Sequence, residues 1–383
     1  MIRCSIVALL AAHVYAGGAV YDRCDSLGPE DKANGKSSGW AHNDGSFCRG
    51  AQQSPIDLCG ATTIDAGNED SQVKLSLTNM AIKSTMQLST DGQVYISPPT
   101  TTTYTADTPG AYDTDATGAT LAGATWRDGI GVKVGRQAAG TIETTWKLAQ
   151  AHFHWGRDGH QDEGSEHYIE GVQHPLEVHF VHVNTKYADI TAALRSGNED
   201  ALLVVGQFFK VSDAAPMSAT LTEINSKLAG VGALAAGTVQ LSIAPYGLID
   251  QSDGFYTYAG SLTTPTCNEA VTWVVMNKVS TITSAALDRF HDKSMDTHGH
   301  KAAYGNYRPL QALGDRTVYF VAPRDNVGNP ITSTYKGMGC HKHVREPHFK
   351  CAPLTTPEHV IKMQDMQISL QQAMTCCAGN TVA

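Results

Sequence analysis

WKLAQAHFHW (residues 146–155) and, after an acidic loop, LEVHFVHVN (residues 176–184) decide how this chain is built. Both are apolar runs broken by single polar residues, the mark of strands. Side chains two apart in a strand share a face. Gln150, His152 and His154 therefore lie together, with Ala151, Phe153 and Trp155 opposite; Glu177, His179 and Val181 lie together, with Val178 and Phe180 opposite. If the two strands are antiparallel neighbours, three imidazoles converge. Three neutral nitrogen ligands with one open position is the arrangement of a catalytic zinc centre. Gln150 and Glu177, each two residues before a histidine on its own face, are placed to accept the ligands' remaining N–H protons. The competing reading is a half-exposed sheet with satisfied histidines. His-x-His recurs at His298/His300 and His341/His343 in this histidine-rich chain, so the pair alone says little. Three histidines with two correctly spaced partners favour the metal.

Outward from this pair, similar short runs recur between residues 73 and 321: VKLSLT, QVYIS, ALLVVGQFF, VTWVVM and TVYFVA. Turn-forming residues separate them, which predicts a mainly β domain with short helices, an α+β class. The clearest helical pattern is MSATLTEINSKLAGV, residues 217–231. Residues 98–125, dominated by Thr, Ala, Gly and Asp, read as a surface insertion, and residues 323–383 as a Cys-, His- and Met-containing C-terminal extension. The N-terminus joins Arg3 to an apolar stretch and a small-residue cleavage pattern, so residues 1–16 read as a secretory signal peptide. That leaves residues 17–322 as the main domain. A hydrophobic content of 42%, a charged content of 17% and a net charge of −9 fit a globular protein without a basic patch for nucleic acid. No membrane anchor is expected, since no later segment is long and apolar enough to span and no lipid-anchor signal ends the chain. Of nine cysteines, eight follow the leader, an even number suited to disulfides in a secreted, extracellular protein.

QAHFHWG with GSEH, LEVHFVHVN, GSLTTPTCNEAVTW, NYRPLQ and the earlier QQSPIDL resemble the motifs of the α-class carbonic anhydrases, in that family's order and over roughly residues 38–322. The resemblance implies a single domain around a large, mostly antiparallel twisted sheet, with zinc (Zn2+) at the bottom of a conical cleft. It implies a reaction too: hydroxide made available by zinc at neutral pH attacks CO2, and bicarbonate leaves. His152, His154 and His179 match the zinc ligands. Thr263 matches the residue that accepts a hydrogen bond from the hydroxide, and Glu166 the carboxylate that receives the threonine's proton. Thr264 matches a bicarbonate contact, and Val181, Val204, Leu262 and Trp273 an apolar CO2 wall. Cys48 and Cys267 match a disulfide of secreted members. His167 and His182 read as structural.

Two departures stand out. Many members carry a proton-shuttling histidine near the cleft mouth, whereas SLTNMAIKSTMQLS (residues 76–89) has none. Proton transfer is then slower, or relayed by another group such as His160 in the 156–164 loop. The family's Thr-Thr-Pro-Pro run ends in Thr266 here, so the 265–266 bond is either a costlier cis peptide or trans. In the extension, His341, His343, His348 and His359 read as surface histidines, and Cys376-Cys377 as a possible link between chains in a disulfide-linked or tail-mediated oligomer. Two other functions compete. A catalytically silent relative would lack ligands that are all present here. A cupin-type enzyme needs an acidic ligand closer behind its histidine pair than Glu163 or Glu166, and leaves GSLTTPT unused.

Overall fold

The two quoted runs become neighbouring antiparallel strands of one large sheet. The computed structural model describes residues 47–64, 73–78, 84–90, 94–97, 131–136, 142–228, 239–293 and 305–323. The leader, the 98–125 insertion and residues 324–383 of the extension lie outside the described residues. So do His298, His300 and positions 79–83 of the stretch that lacks the histidine.

In chain order the strands are β1 (Thr62–Ile64), β2 (Val73–Thr78), β3 (Ser84–Thr90), β4 (Val94–Ser97), β5 (Gly131–Arg136), β6 (Ile142–Trp155) and β7 (Leu176–Asn184). Helix α1 (Ile190–Arg195), β8 (Leu202–Val211), helix α2 (Ala219–Leu228), β9 (Val239–Ile243) and a 3-10 turn (Pro245–Leu248) follow. The last elements are β10 (Phe255–Gly260), β11 (Val271–Met276), β12 (Ser280–Ile282), helix α3 (Ser284–His291) and β13 (Tyr319–Val321). Among the described residues all thirteen strands belong to one sheet, whose main path runs β1-β13-β10-β11-β8-β7-β6-β4-β3-β9. Most pairings are antiparallel; β1 with β13 and β8 with both β11 and β12 are parallel. The expected mainly antiparallel α+β domain is what the chain forms.

β6 is the spine. Its first half pairs with β5, its second half with β4, and its other edge with β7. The β6–β7 register slips between Leu148 and Gln150. This bulge reverses the parity: Trp146 and Leu148 join Phe153 and Trp155 in one core, although Leu148 and His152 are an even number of residues apart. That core lies between the sheet and helices α2 and α3, through Leu221, Ile224, Leu287 and Phe290. A second core on the opposite face holds Val181, Val204, Leu262 and Trp273 with Ile56, Leu58 and Tyr258. Helix α2 occupies most of the predicted 217–231 segment.

Candidate metal centre

His152 and His179 stand directly opposite each other across the β6–β7 ladder, with His154 opposite Glu177. The ring centroids lie 4.9 Å (His152–His154), 5.3 Å (His152–His179) and 4.6 Å (His154–His179) apart. One nitrogen from each ring falls within 4.8 Å of the other two. Hydrogen bonds on the far side of each ring set the tautomers, because every partner is an oxygen that only accepts. His152 Nδ1 donates to Gln150 Oε1 at 3.0 Å, His154 Nδ1 to the Asn306 carbonyl at 2.8 Å, and His179 Nε2 to Glu177 Oε1 at 2.8 Å. That leaves lone pairs on His152 Nε2, His154 Nε2 and His179 Nδ1. The last two are buried without a hydrogen-bond partner. Buried, unpaired nitrogens are costly unless something fills the gap between them. Three convergent imidazole lone pairs are the donor set of a zinc ion.

The site's electrostatics favour the same state. Burial, followed by the neighbouring imidazoles, lowers the pKa of His152 and of His154 well below the ordinary histidine value. Burial lowers that of His179 against the pull of Glu177. Burial alone would raise Glu177, but the adjoining His167 and His179 outweigh it and hold the carboxyl well below the usual range. Glu177 accepts four hydrogen bonds: His179 Nε2 and His167 Nδ1 at Oε1, and the amides of Glu166 and His167 at Oε2, all within 2.9 Å. Gly206, opposite His179 on β8, leaves it room; a Cβ there would sit 3.0 Å from Oε1. Tyr258 extends the network, its hydroxyl 2.7 Å from His167 Nε2 and 2.9 Å from Ser54 Oγ.

Glu166 is fully buried, and burial raises its pKa well above the carboxylate norm. The Arg308 amide donates to Oε1 at 2.8 Å. The Thr263 hydroxyl is close enough to oppose the burial effect, without a well-formed hydrogen bond to Oε2. Thr263 is held by a loop that Cys48 clamps through its disulfide with Cys267; Cys59 is disulfide-bonded as well. The Pro265–Thr266 bond is cis, one of the two forms Thr266 left open. QQSPIDL stitches this loop to the sheet. Gln53 donates to the Cys267 carbonyl and to Glu269, the Ser54 amide donates to Ser261 Oγ, and Arg308 donates to Gln53 Oε1 and the Ser54 carbonyl.

The ladder carries Val181 to Val204 and Val204 to Trp273, forming an apolar row beside His179. Trp273 packs its ring edge-on to His179 at 4.8 Å and donates to the Ser261 carbonyl. Leu262 joins the same core. Thr264 follows Thr263 in the clamped loop, half-buried. His160 stands apart: its ring is half-exposed, 3.9 Å from Asp162, in a loop whose Asp158 faces His291 of α3. His182 points away from the metal group, to the Leu203 carbonyl and the Tyr246 hydroxyl. Asn306 and Arg308 carry roles that motif reading did not assign; NYRPLQ signalled the segment but not its contacts.

A family model described as eukaryotic-type carbonic anhydrase matches residues 35–322. That span contains every strand of the sheet and each site residue placed above, and this chain belongs to the carbonic anhydrase family.

Proposed function

We propose that the chain is a secreted zinc carbonic anhydrase in which His152, His154 and His179 hold the metal. The family's reaction is the reversible hydration of CO2. The observation that carries the metal assignment is the set of three tautomer-fixed rings with two buried, unpaired nitrogens turned inward. When bound there, zinc supplies the Lewis acidity that makes hydroxide available near neutral pH.

The remaining work falls to the chain. With its proton directed at Glu166, the Thr263 hydroxyl is left as an acceptor. An attacking oxygen beside it then turns its own proton to Thr263 and a lone pair to carbon. The Arg308 amide opposes the upward pull of burial on Glu166 and so favours the accepting, ionised form. Val181, Val204, Leu262 and Trp273 offer CO2 a dry wall suited to a molecule with little hydrogen-bonding capacity, and Thr264 receives bicarbonate. Gln150 and Glu177 hold the ligand rings in orientation. The lack of a histidine in residues 76–89 makes buffer the main proton acceptor, with His160 of the 156–164 loop as the alternative relay.

Secretion is supported by the leader pattern of residues 1–16 and the Cys48–Cys267 disulfide. Among the described residues no helix is long and apolar enough to cross a membrane. Residues 17–322 are proposed as the catalytic unit and 323–383 as an appendage to it.

Metal analysis joined to a CO2-hydration assay tests this reading. The mature chain should carry one zinc and hydrate CO2, and His154→Ala should lose both. Full activity in a zinc-free preparation, or stoichiometric zinc with no hydration, overturns it.

A further inference from the structure

The three ligand rings are not held alike. His154 and His179 have no solvent exposure, and their outer nitrogens bond a buried carbonyl and a buried carboxylate. His152 is 8% exposed and leans on Gln150, a part-buried side chain whose own Nε2 has no hydrogen-bond partner. Gln150 is thus anchored to the site through one end of its amide, and His152 is the ligand most free to swing away. Elsewhere in the site Leu262 at 7% and Thr263 at 5% are also partly wetted, whereas Glu166, His167 and Glu177 are sealed. The group therefore meets solvent on the His152 side.

Tyr95 covers that side. It lies directly opposite His152 in the β4–β6 ladder, so the two side chains leave the sheet on one face. Its neighbours Val94 and Ile96 are buried in the core on the other face. The phenol ring sits 6.0 Å from the imidazole, tilted 49°, and is only half-buried. We infer that Tyr95 is a positioning residue for His152: its ring limits the swing of this one ligand and so sets how fast metal leaves the site. The inference rests on the metal assignment proposed above. The ring acts on His152 by its bulk.

The experiment measures zinc release from the mature, zinc-loaded chain to excess chromogenic pyridylazo chelator. Tyr95→Ala and Tyr95→Thr, the latter retaining strand propensity, should release zinc about tenfold faster than the parent, while Tyr95→Phe stays within about twofold. Truncations that match the parent's rate, or Tyr95→Phe releasing as fast as Tyr95→Ala, overturn the inference while leaving the metal site intact. A parent chain that takes up no zinc overturns the metal assignment and this inference together. Thermal unfolding of the metal-free variants separates a merely structural role, which would lower the midpoint without changing the release rate of folded protein.

Discussion

The buried histidines differ in what they cost. His182 lies in the sheet with Nδ1 on the Leu203 carbonyl and Nε2 2.5 Å from the Tyr246 hydroxyl, and burial lowers its pKa to about 4. The folded chain then binds fewer protons than the unfolded chain between that value and the ordinary 6.5. Stability is complete above pH 6.5 and falls as the pH drops toward 4, by about 3 kcal/mol from this residue once the window has been crossed. Urea midpoints of the metal-free protein at pH 7.5 and 4.5 should differ by more than those of His182→Gln. Equal pH sensitivity would remove His182 as the cause. This role was half legible: the sequence places His182 one residue from Val181 and so off the metal face, but Tyr246 is 64 positions away.

At the scale of elements, strand parity was legible because a period of two needs no knowledge of the partner. Gln150, His152, His154, Glu177 and His179 all land where the alternation puts them. The bulge after Leu148 was not legible, since apolar Trp146 and Leu148 read equally well on either face. Nor was the group that closes the end of β6. Asn306 caps it as a missing strand would, Oδ1 accepting from the Trp155 amide at 2.7 Å and Nδ2 donating to the Phe153 carbonyl at 2.9 Å. Its own carbonyl orients His154. Such a contact spans more than 150 positions, and no local pattern announces it. Asn306→Ala should remove both side-chain bonds, destabilise the protein by about 3 kcal/mol and weaken zinc retention about tenfold. Denaturant titration and chelator competition read the two effects; unchanged zinc retention would limit Asn306 to scaffolding.

For the whole molecule, the Cys48–Cys267 bridge closes a separation of 219 residues and pins the loop of Thr263. Cross-linking so long a loop is worth up to about 5 kcal/mol in the chain-entropy account. The Cys48→Ser, Cys267→Ser double variant should therefore melt earlier, and should also lose CO2 hydration at temperatures where it is still folded. Full activity there would separate the bridge from the placement of Thr263. The same wide span appears in the sheet, where Thr62, Thr63 and Ile64 of β1 lie beside Tyr319, Phe320 and Val321 of β13. During synthesis, residues 62–64 wait for some 250 further peptide bonds before their mates emerge from the ribosome. A nascent polypeptide of this kind carries an unpaired strand until late in elongation, and chains stopped before Val321 never complete that pairing.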